Sequence, residues 1–169
     1  LTTAEIGALS STEIQAFTTT QANALTATQL GGLTTTAISN LSSTQFGALS
    51  STQLRGLTTT QLNALTVDDL DALVASNLST TQVIGLTTTS IGNLTETQVG
   101  ALTSTQVGRL SVSQLGALTT TEFTNLTATQ AGALTRTQAG GLTTTNFAPL
   151  TTTGIPAPST AALDGISGA

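Results

Sequence analysis

The chain repeats itself every eight residues, and this limits the folds open to it more than any other feature. From Leu1 the octads read LTTAEIGA, LSSTEIQA, FTTTQANA and LTATQLGG, and they continue to LTTTNFAP and a partial unit opening at Leu150. One phase slip interrupts them, the five-residue unit Leu73-Val74-Ala75-Ser76-Asn77. Across twenty unit starts Leu fills position one nineteen times, with Phe17 the exception. Ser or Thr fills position two nineteen times, with Val74 the exception. Position five is Gln or Glu in fourteen units, position six is almost always apolar, and position seven is Gly in nine. Position three takes Ala27, Val67, Glu96, Val112 and Arg136 alike, which places it in solvent.

A single long helix cannot carry this pattern. Eight residues at ~3.6 per turn drift by roughly 80° per repeat, so the apolar stripe would wind around the helix. A straight strand fails as well, because positions one and six would face opposite sides. A short capped helix fits. Ser/Thr at position two and Gln/Glu at position five have the S/T-x-x-E/Q spacing of a capping box. Positions one and six then hold the N′ and N4 places of a hydrophobic staple. Glycines such as Gly7, Gly31 and Gly47, with Asn23 and Asn63 as substitutes, follow where the helix must stop, which predicts a left-handed C-cap.

Two buried aliphatic side chains do not offset the entropy of ordering eight residues, so octads must stack and share a Leu/Ile seam. The expected fold is an all-α repeat, a solenoid of very short capped helices with two octads per coil. Small residues at position eight let successive turns approach closely. A β-solenoid is the alternative, since threonine and valine favour strands. Residues 1–150 form the solenoid, with a kink or inserted corner at the slip, 73–77. Residues 151–169, rich in Pro, Ser, Ala and Gly, form a cap or linker.

Composition removes most chemistry. The chain of 169 residues has no histidine or cysteine, and so no Cys/His zinc site, disulfide, thiol nucleophile or Ser-His-Asp triad. A net charge of −5 with three arginines, Arg55, Arg109 and Arg136, cannot neutralise a phosphate backbone. No run approaches the ~18 apolar residues of a membrane span. The start at Leu1, already in phase, reads as a processed product or a piece of something longer.

The unit LTTTQ(L/V)xA, as in Leu57–Ala64 and Leu94–Ala101, resembles the LTTxQ-type octapeptide repeats of very large secreted bacterial surface proteins described as adhesion- or haemagglutinin-like. The resemblance covers roughly residues 1–150. It implies export, a bacterial surface or matrix location, and a structural or adhesive role, with no catalytic residues to carry over.

The acidic cluster Asp68, Asp69 and Asp71 is a calcium candidate by residue type. Its spacing is not that of an EF-hand, and helix capping accounts for it better. Glu5, Glu13 and Glu122 stand at the capping position and Glu96 at the exposed third position, so no glycosidase pair converges. The Ser/Thr rows serve as caps at position two. Positions three and four remain free for ice, glycans or O-linked modification. Phe17, Phe46, Phe123 and Phe147 occupy core positions. The expected function is a non-enzymatic structural solenoid that forms an extracellular fibre or surface layer by head-to-tail self-association. The alternatives are a monomeric stalk and an ice- or glycan-binding surface. No cofactor, metal, nucleic acid or small-molecule substrate is expected.

Overall fold

A computed structural model describes residues 2–143, 145 and 146. The chain divides into two compact units, residues 1–86 and 87–169. Every regular element is a helix of three to six residues, and no strand occurs among the described residues, so the β-solenoid alternative is set aside. In the first unit these are α1 (Thr3–Gly7), α2 (Ser11–Gln15), α3 (Thr19–Asn23), α4 (Ala27–Gly31), α5 (Thr35–Ile38), α6 (Ser43–Gly47), α7 (Ser51–Gly56), α8 (Thr59–Asn63), α9 (Val67–Asp71), a 3-10 turn (Ala75–Asn77) and α10 (Thr80–Ile84). The second holds α11 (Thr88–Gly92), α12 (Glu96–Ala101), α13 (Ser104–Val107), α14 (Val112–Gly116), α15 (Thr120–Thr124), α16 (Ala128–Gly132) and α17 (Arg136–Gly141).

Each helix spans positions three to seven of its octad, give or take a residue. Position two is the N-cap, with extended backbone at φ −69 and ψ 159 in Thr18 and nearly the same values in its counterparts. At the far end the N–H of the next position-one Leu donates to the position-six carbonyl, as Leu33 does to Leu30 at 3.1 Å. The chain then turns extended and the next cap begins. Helices this short do not persist alone in water, so the fold rests on stacking.

Stacking joins every third helix. In the first unit α1 lies on α4, α2 on α5, α3 on α6, α4 on α7, α5 on α8 and α6 on α9; in the second, α11 lies on α14, α12 on α15, α13 on α16 and α14 on α17. Three octads therefore make one coil, where the sequence reading expected two. Side-chain bonds keep the same step: Gln15 Nε2 donates to Asn40 Oδ1 at 2.8 Å, and Ser39 Oγ to the Ala64 carbonyl at 3.1 Å, each 25 residues on. The apolar residues at positions one and six fill the interior, and Ile14, Leu30, Leu62, Val83, Leu115 and Phe123 have no exposed surface. Position three is exposed or half-buried, as expected.

The slip is a shortened side of a coil. Its 3-10 turn stands where a helix would, against α7, and Arg55 Nε donates to the Asn77 carbonyl at 3.1 Å. Beyond it Asn63 Nδ2 meets the Gly85 carbonyl 22 residues on, three fewer than in a full coil, so the stack recovers its register at once.

The glycines do a different job from the one expected. The helices end in right-handed or extended backbone, for example φ −87 at Ala8 and φ −84 at Gly32, and Gly7, Gly31, Gly47, Gly92 and Gly108 have no left-handed φ. At Gly31, Gly56 and Gly108 what demands glycine is close approach between coils, whereas a Cβ on Gly116 or Gly132 would meet nothing. A Cβ on Gly31 would fall on the carbonyl oxygen of Gly56, one on Gly56 would fall on the backbone of Ala27, and one on Gly108 would lie 2.7 Å from the Ala133 carbonyl oxygen.

Candidate functional site: the coil-stacking face

All fourteen Gln and Glu residues at position five complete a capping box. In α8 the Thr58 hydroxyl accepts from the Gln61 N–H at 3.2 Å, while Gln61 Oε1 accepts from the Thr58 N–H at 2.8 Å. Where position five is Ala37, Asp69 or Ser90, the position-two hydroxyl still accepts from the backbone N–H three residues on. This is the local half of the arrangement.

Its other half joins coils. Gln61 Nε2 donates to the carbonyls of Leu30 at 2.9 Å and Leu33 at 2.7 Å, the position-six and next position-one carbonyls of the coil before. Gln82 repeats this on Leu54 and Leu57 at 2.8 and 2.7 Å, across the slip. In the second unit Gln138 reaches Val107 and Leu110 at 3.1 and 2.6 Å, and Gln130 reaches Val99 and Leu102 at 3.2 and 2.7 Å. These carbonyls are the acceptors a helix C-terminus leaves over. Interior glutamines are buried, and no buried side-chain N or O lacks a partner among the described residues. A glutamine at position five is thus helix cap and coil-to-coil clamp at once. The capping box alone accepts Glu as readily as Gln. The preponderance of Gln over Glu at this position, eleven to three, is the sequence signal for the clamp.

On the first coil no other coil covers this face among the described residues. Glu5, Glu13 and Gln21 are exposed, and Leu9 and Phe17 are half-buried, whereas their counterparts two coils on, Gln53, Gln61, Asp69, Leu57 and Leu65, are buried. Beside them lies a recess of about 270 Å³ lined by Ile6, Phe17, Gln21, Ala24, Leu25 and Gln29. The backbone N–H of Thr2 donates to Glu5 Oε2 at 2.7 Å and that of Ser10 to Glu13 Oε2 at 2.8 Å. These bonds, and after them the hydroxyls of the same two caps, hold both carboxyls below their ordinary pKa.

The other candidate residues do not converge. Asp69 is buried, accepting from the Thr66 hydroxyl at 2.6 Å, while Asp68 and Asp71 are exposed. No group of three acidic side chains able to hold a metal occurs among the described residues. Glu122 is seated in the α15 capping box, and Glu96 accepts from Asn125 Nδ2 at 3.1 Å. Arg109 and Arg136 are exposed, on different elements from Arg55. Position four, nearly always threonine, is exposed in every described octad. Phe17 is half-buried on the face of the first coil, Phe46 and Phe123 are core, and Phe147 lies outside the described residues, as does the 151–169 segment. No described helix is long and apolar enough to cross a membrane.

Residues 1–35 and 38–75 match the ALTTAQ repeat family. That motif runs from position eight of one octad to position five of the next, as in Ala24-Leu25-Thr26-Ala27-Thr28-Gln29, and so brackets the cap and the clamp. No curated protein matches the chain.

Proposed function

We propose that this chain is a non-enzymatic structural protein, a repetitive solenoid that forms or belongs to an extracellular bacterial fibre or surface layer and assembles head to tail. The observation that carries this reading is the glutamine clamp. Each interior coil offers side-chain donors on one face and helix-end carbonyls on the other, a heterologous contact that has no built-in end. The seating of Glu5, Glu13 and Glu122 in their own caps supports a non-enzymatic role, since each is committed to its helix. The resemblance to repeats of secreted surface proteins supports the location.

A monomeric stalk is the second reading, since the same coil-to-coil clamps also hold a single chain together. Electron microscopy over a range of concentrations separates the two. Filaments with an axial repeat near one chain length support assembly. Single short rods at every concentration would replace it with the stalk.

A further inference from the structure

We infer that the position-four threonines are acceptors for O-linked sugars, so that every side of the stacked coils carries a row of glycans. This is independent of the assembly reading, since filaments and single rods alike can carry sugar.

The fold does not account for threonine at this position. Position four is Thr in fifteen of the eighteen full octads and Ser113 in a sixteenth, with Ala4 and Asp68 as the exceptions. It is the second residue of its helix, where alanine has the higher helix propensity. α1 carries Ala4 there and still completes its capping box with Thr2 and Glu5. The position-two hydroxyls are taken up by their caps: that of Thr58 accepts from the Gln61 N–H and donates to Gln61 Oε1. By contrast, no side-chain hydrogen bond takes in a position-four hydroxyl among the described residues, and each of these side chains is exposed.

Solubility does not account for it either. Only 7% of the chain is charged, against about 25% in ordinary domains, so a charged residue at an exposed position would serve well. Position three, next to it, takes Glu96 and Arg136 as well as Ala27 and Val67. Position four takes a charge once, at Asp68. What it holds to is the hydroxyl.

Three octads per coil carry that hydroxyl to all three sides. In the first unit Thr20 and Thr44 stand on the stacked helices α3 and α6, Thr28 and Thr52 on α4 and α7, and Thr36 and Thr60 on α5 and α8. The pairs α12 and α15, and α13 and α16, repeat this in the second unit. A flat partner such as an ice surface meets one side of a coil and leaves the others unconstrained. A covalent modification reaches each octad separately, and Ser/Thr-rich segments of low complexity commonly carry O-linked sugar. In the reaction a threonine Oγ1 attacks the anomeric carbon of a sugar activated as its nucleoside diphosphate. The bond from that carbon to the phosphate oxygen breaks, the nucleoside diphosphate leaves, and a base of the glycosyltransferase takes the hydroxyl proton.

The test takes the protein from the cells that produce it and fragments its peptides by electron transfer, which keeps sugars attached. Sugar on position-four threonines, with the position-two caps bare, is the expected result. No sugar at all, or sugar spread equally over positions two, three and four, overturns the assignment. A second measurement uses the 169-residue chain made without a glycosyltransferase, as wild type and as the fivefold variant Thr28→Ala/Thr36→Ala/Thr44→Ala/Thr52→Ala/Thr60→Ala. The variant should fold and melt no lower than wild type. A midpoint lower by several degrees would give these hydroxyls a place in the fold and overturn the inference on its own.

Discussion

The first coil and the third are built from the same octads, yet one glutamine works differently in each. Gln21 in α3 and Gln61 in α8 have the same local bonds: Oε1 accepts the cap N–H at 2.8 Å in both, and the cap hydroxyl accepts their own N–H at 3.2 Å in both. Among the described residues only Gln61 has a coil in front of its Nε2, and of the two only Gln61 is buried. The capping box is therefore a property of the octad and forms with or without neighbours. The clamp is a property of the stack. One side chain carries both, through opposite ends of one amide.

Exchanging the amide for a carboxylate breaks this comparison most sharply. Gln61→Glu keeps the box but sets a carboxylate against two carbonyls in the core, and should cost about 3 kcal/mol. Gln21→Glu on the open face should cost less than about 0.5 kcal/mol. Chemical denaturation of the two variants measures the difference. Equal losses would mean that the inter-coil bonds contribute nothing and that only the cap matters.

Glycine gives the next contrast. Gly31→Ala drives a methyl into the Gly56 carbonyl of the next coil and should destabilise by about 1–3 kcal/mol, because two backbones must separate. At Gly47 the nearest carbonyl oxygen, that of Ala72, would lie 3.5 Å from the new Cβ, an ordinary contact. Gly47→Ala should therefore be neutral or stabilise by up to about 1 kcal/mol, through helix propensity alone. If both substitutions behave alike in thermal melts, close coil approach is not what selects glycine.

These contrasts show where the sequence was readable. The cap, the staple positions and the place of the slip follow from spacing within one octad, which is local information. The number of octads per coil does not, because every side of a coil carries the same pattern and nothing in Leu1–Ala8 records that its neighbour is Leu25–Gly32. Two were expected and three form. Gly31 misled for a similar reason: a helix end and a close approach both call for glycine, and only the position of Gly56 decides between them. The clamp lay open in the preference for Gln over Glu, but the local box explained position five well enough to hide it.

Glu122 offers a smaller effect of opposite sign. It is buried at position five of the α15 octad, and Gln130 and Gln138 in the next two octads hold carbonyls 28 and 31 residues earlier. Glu122→Gln should add a donor toward Leu94 and Ile91 and stabilise by about 1 kcal/mol. A loss on substitution would show that the carboxylate has a role the amide cannot fill.

The smallest effect separates α1 and α2 from α3 and α4 by pH. The N–H of Thr2 and of Ser10, and then their hydroxyls, favour the ionised form of Glu5 and Glu13 and lower both carboxyls from the ordinary value. A carboxyl depressed in the folded chain adds stability that is fully present above its unfolded pKa, roughly 4.3 for a free glutamate, and lost as pH falls through the folded value. The glutamine boxes of α3 and α4 do not titrate, so mild acid should loosen α1 and α2 while those two hold. Carboxyl NMR titration should place both midpoints below free glutamate, and the Thr2 and Ser10 amides should exchange faster as each midpoint is crossed. In the Glu5→Gln/Glu13→Gln variant that acid-dependent exchange should vanish. Midpoints at the free-glutamate value would mean that these two boxes do not form in solution, and the open face would then lack even the local order it shares with the interior.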